Sequence, residues 1–501
     1  MKRQLYAPAV LCIGLLSAQI VATAHVYLSN LNLLQTTEAV ARSGYLAIPN
    51  MLVTDRLGSL ATAMAGGLLF TLSIGSGLSL ITLIGVWLWD RAFRRRRREA
   101  LLYLFGWLVS LYLVNDNGFN IIASIYLIVV PMVTAMAAIL LLPGRTTLIS
   151  SSCVLWPVSA AIILTLIWSL VLDNNLFVNI RDHLLLSNRV GQAITNAYYE
   201  YTLFPAEAFK SLAQKQIRTC VLEESLDRAD TKRLERSMRS HDYLPVPDGY
   251  PADLTIGKDK TASQFSISGS QHQVLTVAAR ELFGQPGNVL QRFSDKMDEN
   301  LIFRKLTLFC LLIGFPLVLY SFIFSLAVTL PSLLFPVRLS DVIATVVCIT
   351  IGVILLAPVY QGYTATKFTK NATTDLASPS TATRIAALRR ACEEKKDIVA
   401  EATSHDLENS PHIAERYWLA RSLAYANGPQ APAMLQHLAN DPSPIVSCQA
   451  LWAMGERKNR SMIPQIINRI NTTPGWYIQM YAYRALRTLG WVQPRSPLVS
   501  Y

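Results

Sequence analysis

The sequence predicts an all-α membrane protein with about seven transmembrane helices, a mostly α extracytoplasmic insertion and a C-terminal α-solenoid. Three observations support this fold class. Hydrophobic residues make up 52% of the 501 residues and charged residues only 16%, against roughly 25% charged residues in soluble proteins. Several long stretches carry no charge at all, and about 18 apolar residues suffice to cross a bilayer. Residues 372–501 then repeat a helix-pair pattern.

The first segment, residues 1–28, predicts a signal anchor or a signal peptide. Lys2 and Arg3 precede an apolar run that ends at Ala22-Thr23-Ala24, which fits a signal-peptidase site. A retained helix and a cleaved peptide both remain open. Either one places residue 26 onward outside the cytoplasm.

Residues 57–172 predict four transmembrane helices, at 57–89, 101–114, 119–142 and 153–172. An arginine run follows the first of them; its members are Arg91, Arg94, Arg95, Arg96, Arg97 and Arg98. Lys and Arg in short loops stay on the cytoplasmic side, so the run marks topology and also contacts anionic lipid head groups. The net charge of +12 therefore does not indicate nucleic-acid binding, because no reader motif accompanies the run.

A stripe of small residues predicts close helix packing in the 57–89 span. Its members recur every fourth residue and are Ala63, Gly67, Thr71, Gly75 and Ser79. Small side chains let helix backbones approach closely in lipid. The stripe therefore faces either another helix of the same chain or a seam in a homo-oligomer or partner complex.

Residues 173–303 form the predicted extracytoplasmic insertion. Charged, helix-prone stretches flank a middle part that is rich in proline, glycine and serine. Residues 304–362 then supply the last two transmembrane helices, at 306–330 and 341–360. With this order, both the insertion and the C-terminal region lie outside.

The C-terminal region repeats a short Ala/Leu-rich helix. The segments "IAALRRACEE", "LARSLAYANG", "CQALWAMGER" and "YRALRTLGWV" align at four leucines, which are Leu388, Leu423, Leu451 and Leu486. Between most of these segments lies a second helix, which completes the pair. Each helix pair has an apolar face that it cannot bury alone, so neighbouring pairs stack into a solenoid.

This pattern resembles HEAT-like repeats of the type first named in phycobilin lyases. The best match is "SPIVSCQALWAMGERKNRSMIPQIINRI" at residues 443–470, and the resemblance covers about 120 residues. It departs at Val446-Ser447, where the pattern has Val-Arg, and the repeat spacing is irregular. The resemblance implies a surface that binds proteins, and lyase chemistry does not transfer.

Aromatic residues are frequent in the repeats and are candidates for docking a partner. These candidates are Tyr417, Trp418, Trp452, Trp476, Tyr477, Tyr481 and Trp491. Trp and Tyr dominate interface hot spots, but the same residues also fill solenoid cores. Residues 361–501 carry sixteen Lys/Arg against ten Asp/Glu, which is compatible with an acidic partner.

No catalytic, cofactor-binding or metal-binding motif stands out, so the expected function is non-enzymatic. We expect an integral membrane scaffold of a bacterial envelope complex, in the inner membrane, with its soluble domains facing the periplasm. Its expected partners are membrane lipids and other protein subunits. One alternative is a transporter or channel subunit with a substrate path between the helices. Another is a membrane enzyme that acts on a lipid or glycan through residues 173–303.

Overall fold

The structure is a computed structural model that describes most of the chain. The described residues are 5–91, 93, 97–116, 118–142, 152–250, 252–258, 264–269 and 274–495. They form a bundle of apolar helices, an insertion with a small β-sheet, and stacked helix pairs at the C-terminus.

Five apolar helices precede the insertion. They are α1 (Tyr6–Arg42), α2 (Leu60–Arg91), α3 (Arg97–Val114), α4 (Ile121–Leu140) and α5 (Ser152–Ser169). Four of them agree with the predicted spans. Helix α1 is longer than the predicted segment 1–28, because it continues for about four turns beyond residue 28.

The insertion contains both helices and strands. Its helices are α6 (Leu176–Ile180), which continues as a π-helical turn (Arg181–Leu185), α7 (Arg189–Tyr201), α8 (Leu203–Ala208), α9 (Arg228–Ser240), α10 (Ala279–Gly284) and α11 (Pro286–Lys296). Its strands are β1 (Arg218–Leu222), β2 (Tyr243–Pro245), β3 (Leu254–Lys258), β4 (Gln264–Ser268) and β5 (Val274–Ala278). They form one sheet in the order β2-β1-β3-β4-β5, in which β1 pairs in parallel with β2 and β3 while β4 pairs antiparallel with β3 and β5.

This sheet corrects the prediction of an all-α chain, although helices still cover more of the insertion than strands do. Each strand has only three to five residues, so its alternating pattern is too short to stand out from the helical signals around it. In β4, Phe265 and Ile267 point into a core that includes Leu234 of α9 and Phe293 of α11. The sheet depends on this packing between distant segments, which local periodicity does not reveal.

Two more apolar helices follow the insertion, α12 (Leu301–Leu333) and α13 (Val337–Phe368). Five helices of the described chain, α1, α2, α4, α12 and α13, are long and apolar enough to cross a membrane. The apolar parts of α3 and α5, Leu101–Val114 and Leu155–Ser169, are shorter than those of the five candidate spans. The structure thus supports a membrane protein with five candidate spans, while seven spans remain a prediction.

The helices alternate in direction, which gives the bundle two distinct ends. At one end α2 stops at Arg91 and α3 starts at Arg97; we call this the arginine end. At the other end the α3–α4 turn touches the start of α12, where Asn120 Nδ2 donates to Asn300 Oδ1 over 2.5 Å. The insertion and the stacked helix pairs lie at this second end, which we call the repeat end.

Helix α1 packs tightly against the small-residue stripe of α2. A Cβ added at Gly75 would lie 2.6 Å from Ala18 Cβ, and one added at Gly67 would lie 3.2 Å from the Ala22 backbone. Thr71 Oγ1 donates to Gln19 Oε1 of α1 over 2.7 Å. The stripe therefore faces a helix of the same chain.

A π-helical turn within α2, Thr71–Gly75, keeps the stripe on one face. In a regular α-helix each residue turns by about 100°, so residues four apart drift by about 40° per step. The wider π turn rotates each residue by less and reverses this drift. Ala63 and Ser79, at the two ends of the stripe, are consequently both fully buried.

The C-terminal region forms stacked helix pairs, as the repeats predict. Its helices are α14 (Thr381–Glu393), α15 (Val399–Ser404), α16 (Ile413–Ser422), α17 (Ala431–Ala439), α18 (Pro444–Glu456), α19 (Ile463–Thr472) and α20 (Trp476–Thr488). Helices α14, α16, α18 and α20 stack in succession, and the four aligned leucines are all fully buried. Ion pairs join neighbouring units, with Arg384 Nε 2.8 Å from Glu415 Oε1 and Arg416 Nε 2.6 Å from Asp441 Oδ2.

Candidate functional site: the junction between the repeats and the membrane helices

A buried carboxylate joins the repeats to the segment that follows α5. Asp182, in the π turn after α6, is only 2% exposed. Its Oδ2 accepts a hydrogen bond from Trp418 Nε1 of α16 over 2.7 Å, and its Oδ1 accepts one from Arg181 Nε over 2.7 Å. A buried charge is costly unless it is paired and hydrogen-bonded, so these contacts fix Asp182 between the two parts of the chain.

Three guanidinium groups surround the Trp418 ring. The Cζ atoms of Arg181, Arg389 and Arg421 lie 5.5, 5.7 and 5.5 Å from its centroid. Arg181 also stacks on Tyr417 at 3.9 Å. Such cation–π contacts contribute about 0.5–2 kcal/mol each, depending on how far they are desolvated. Trp418 is therefore a structural anchor of this junction.

His183, next to Asp182, contacts the part of α13 that lies at the repeat end. A Cβ added at Gly362 of α13 would lie 2.0 Å from His183 Cδ2, so only glycine leaves room for the ring. Burial lowers the pKa of His183, the nearby Asp182 charge opposes this shift, and Arg389 adds to it. The imidazole is therefore neutral at pH 7 and packs as an uncharged group.

Helix α20 makes a second contact, with the segment that follows α1. Asn50 and Gln479 exchange two hydrogen bonds, from Asn50 N to Gln479 Oε1 over 3.0 Å and from Gln479 Nε2 to Asn50 Oδ1 over 2.6 Å. Gln493 bonds both backbone groups of Leu46, at 3.0 and 2.9 Å. Gln479 is fully buried and Gln493 is 2% exposed. Side-chain amides thus satisfy the backbone of this segment.

The same helix also contacts three parts of the insertion, which are α7, α8 and the turn before β2. The Trp476 ring packs edge-on against Phe204 at 4.7 Å, and Tyr477 Oη lies 3.1 Å from Thr202 Oγ1. On another face of α20, Tyr483 Oη donates to Asp242 Oδ1 over 2.7 Å. These contacts, the Asn50–Gln479 pair and the Trp418–Asp182 bond together define the repeat junction.

The aromatic docking candidates therefore serve mainly inside the chain. Tyr417, Trp418 and Trp476 are buried, while Tyr477 and Tyr481 are partly buried against apolar side chains of the helix bundle. Of the other two, Trp452 lies beneath Arg421 at 4.7 Å and Trp491 packs edge-on against Tyr483 at 6.2 Å. Of the two roles that the sequence left open, burial favours the structural one for most of these residues, because the surface they meet belongs to this protein.

Sequence reasoning missed the polar half of the repeat junction. Asp182, Asn50, Asp242 and Gln479 belong to no motif, and each lies far along the chain from its partner. One signal was present, since Asp182 lies between Arg181 and His183 in an otherwise apolar stretch. Only the fold shows that these residues meet the repeats.

A polar cleft lies beside the junction, between the outer part of α1 and the insertion. It consists of two neighbouring cavities of about 180 and 520 Å³ that share Asn32, Thr36, Lys210, Lys215 and Asp253. Lys215 Nζ lies 2.6 Å from Asp253 Oδ1, and the Asp253 charge raises the pKa of Lys215. Lys210 likewise contacts Glu207. The charges of the cleft are thus largely neutralised within it.

The outer face of the repeats carries a groove between α17 and α19. It has a volume of about 270 Å³ and a buried apolar base of Ala439, Leu451 and Met454. Exposed side-chain amides form its rim, and they are Gln436, Asn440, Gln465 and Asn468. Arg469 also lines it. We call this surface the amide groove.

The arginine run lies at the opposite end from the junction. Arg91 closes α2 and Arg98 lies in the first turn of α3 with an exposed side chain. Arg97 starts α3, and Arg94, Arg95 and Arg96 lie outside the described residues. In the part of the chain that the structure describes, no three His, Cys, Asp or Glu residues are grouped to hold a metal ion.

Comparison with known proteins identifies the repeats. The family model for HEAT repeats matches residues 400–487, which confirms the resemblance seen in the sequence. No curated protein and no solved structure matches the chain. The repeat domain at the junction is therefore HEAT-like.

Proposed function

We propose that this protein is an integral membrane scaffold of a bacterial envelope complex, whose HEAT-like domain docks a partner protein. We further propose that it lies in the inner membrane with the repeat end in the periplasm and the arginine end in the cytoplasm. The main support is the repeat junction, because it fixes the repeats on the bundle through buried contacts. A domain held this way presents its outer face in a constant orientation to the membrane.

The amide groove is the surface that best suits a partner. Its base is apolar, and its rim amides both donate and accept hydrogen bonds, which suits the backbone of an added protein segment. Arg469 lines the groove, and residues 457–501 contain seven Lys/Arg and no Asp or Glu, although Arg487 and Arg495 pair with carboxylates of the insertion. We therefore propose an acidic protein segment with at least one apolar side chain as the occupant.

Isosteric charge changes at the rim test this proposal. The double variant Gln436→Glu/Gln465→Glu adds two negative charges at the groove, and it should weaken capture of an acidic partner roughly fivefold or more. Gln430→Glu/Asn459→Asp adds the same charge elsewhere on the exposed repeat surface and serves as the control, since an aspartate at 459 still accepts the hydrogen bond from Ser461 N. Affinity purification in mild detergent followed by mass spectrometry measures the stoichiometric partner. Equal capture by both variants would contradict docking at this groove.

The polar cleft supports a second candidate function, an activity on a lipid or glycan head group at the membrane surface. It lies near the outer end of the bundle and contains both amines and carboxylates. Its contacts favour the scaffold, because Lys215 and Lys210 are engaged by carboxylates and Arg304 Nη1 lies 2.8 Å from Asp298 Oδ1. Such pairs hold charge in place rather than leave an acid or base available for proton transfer.

A transporter or channel is supported less well by the interior of the bundle. Two buried hydroxyls of α2 donate to carbonyls of their own helix, Ser73 to Leu69 over 2.6 Å and Ser76 to Leu72 over 2.5 Å. Thr134 of α4 does the same with Val130 over 2.7 Å. Hydroxyls bonded in this way pack helices together rather than line a polar path.

A further inference from the structure

An apolar groove lies on the side of the bundle near the arginine end. It runs between α2, α3 and α4, has a volume of about 460 Å³ and is lined mostly by apolar side chains, among them Leu88, Leu102 and Ile139. These three residues are 39%, 67% and 51% exposed. A volume of this size is in the range of small-molecule sites. We call it the acyl groove.

Two contacts hold α3 against its neighbours on the side away from the arginine run. The Trp107 Nε1 of α3 donates to the Leu127 carbonyl of α4 over 2.6 Å. The Tyr103 ring lies directly on Gly85 of α2, where an added Cβ would be 2.4 Å from Tyr103 Cε2. These two contacts join α3 to both helices that share the groove with it.

Two arginines lie on the faces that form the groove. Arg91 follows Leu88 by three residues on α2, and Arg98 precedes Leu102 by four residues on α3, so each shares a helix face with a groove residue. The Arg98 side chain is exposed. Arg91 is partly exposed, with its Nε 3.6 Å from the Asp90 carboxylate. Positive charge thus borders an apolar slot.

Aromatic residues line the groove close to the arginines. They are Trp89, Phe93 and Tyr103, and Trp and Tyr are enriched where a membrane meets water. The adjoining faces of α3 and α4 expose large apolar residues such as Leu101 and Met132, at 62% and 60%. The groove is therefore on the surface that faces lipid, not on one that faces water.

We propose that the acyl groove and these arginines form a binding site for one anionic phospholipid. One acyl chain occupies the groove, and the phosphate and anionic head group lie against Arg91 and Arg98. A guanidinium group matches phosphate oxygens with two parallel hydrogen bonds. A zwitterionic lipid of the same chain length fills the groove but loses part of the charge attraction. The site goes beyond the proposed scaffold role and does not depend on the amide groove or on a protein partner.

Trp89 provides a direct reporter of this site. The full-length protein is reconstituted in phosphatidylcholine nanodiscs that contain a minor fraction of lipid brominated in the part of the acyl chain nearest the head group. The Trp89 fluorescence is obtained as the difference between the wild type and Trp89→Phe. Brominated phosphatidylglycerol should quench it at a lower fraction of brominated lipid than brominated phosphatidylcholine does. With about 1 kcal/mol per arginine near the surface, Arg98→Gln should weaken this preference about fivefold.

Matched variants separate the site from ordinary lipid contact. Ala135→Phe fills the groove and should reduce quenching by either lipid, whereas Met132→Phe on the lipid-facing side of α4 should not. Arg338→Gln removes an exposed arginine at the same end of the bundle, and it should leave the preference intact. Native mass spectrometry of co-purified lipid provides an independent measurement for any variant that alters Trp89 itself. Equal quenching by the two lipids, or equal effects of the paired variants, would overturn the proposal and indicate general lipid contact only.

Discussion

The chemistry of single residues explains why the repeats stay attached to the bundle. Asp182 would be poorly tolerated inside the protein without Arg181 and the Trp418 indole, and each of these is itself fixed by neighbouring side chains. Removing one partner of a buried pair costs about 3–5 kcal/mol, because the other charge is left uncompensated. Asp182 is therefore the most sensitive position of the repeat junction.

We predict that Asp182→Asn loosens the junction while the rest of the fold persists. The amide still accepts a hydrogen bond from Trp418, but Arg181 loses its buried counter-charge, so the thermal unfolding midpoint in detergent should fall by several degrees. The linker between α13 and α14 should also become more sensitive to protease. Differential scanning fluorimetry and timed proteolysis measure the two effects.

An exposed carboxylate supplies the control for this prediction. Glu281 of α10 pairs with Arg292 of α11, and the two side chains are 42% and 53% exposed. Surface pairs of this kind contribute about 0–1 kcal/mol, so Glu281→Gln should change neither measurement appreciably. The same loss of stability in both variants would argue against a special role for the buried carboxylate.

At the scale of helices, close packing depends on glycine at particular contacts. Gly77 of α2 would place a Cβ 2.2 Å from Cys310 Sγ, and Gly314 would place one 2.8 Å from Gly77 Cα. This contact brings the π turn of α2 close to the π turn of α12, Cys310–Gly314. Helix α2 is therefore in close contact with both α1 and α12.

We predict that Gly75→Ala destabilises the bundle by about 1–3 kcal/mol, because the added methyl overlaps Ala18 of α1. Gly106 of α3 has open space around it, with no atom within 4 Å of an added Cβ. Gly106→Ala should therefore be neutral or stabilising by up to about 1 kcal/mol, since alanine favours the helix. Thermal unfolding of the two variants in the same detergent makes the comparison. A similar loss in both would contradict the predicted contact between α1 and α2.

The sequence was informative about these helices but not about how they meet. Apolar runs located the helices of the bundle, and four aligned leucines located the repeats, because both signals lie within one short segment. The π turn that keeps Ala63 and Ser79 on one face has no such signal, since it depends on packing against α1. The five-stranded sheet and the Asp182–Trp418 bond were likewise out of reach, because their partners are far apart in the chain.

At the scale of the whole molecule, the arrangement separates two kinds of surface. The arginine end offers positive charge beside an apolar groove, whereas the repeat end carries the soluble domains and the polar cleft. Each apolar helix leads from one end to the other, so the placement of one end in a compartment determines that of the other. The proposed orientation is therefore open to a single labelling experiment.

We predict that a membrane-impermeant maleimide added to intact spheroplasts labels the repeat end only. Cys220, Cys310, Cys348, Cys392 and Cys448 are buried, so a variant that lacks Cys12 and Cys153 gives a low background. In that variant, Asn471→Cys on the exposed repeat surface should react at once, because we propose that this face lies in the periplasm. Arg338→Cys at the arginine end should react only after the membrane is opened, since Lys- and Arg-bearing short loops remain in the cytoplasm. Labelling in the reverse order would invert the orientation and place both the amide groove and the anionic lipid in the opposite compartment and leaflet.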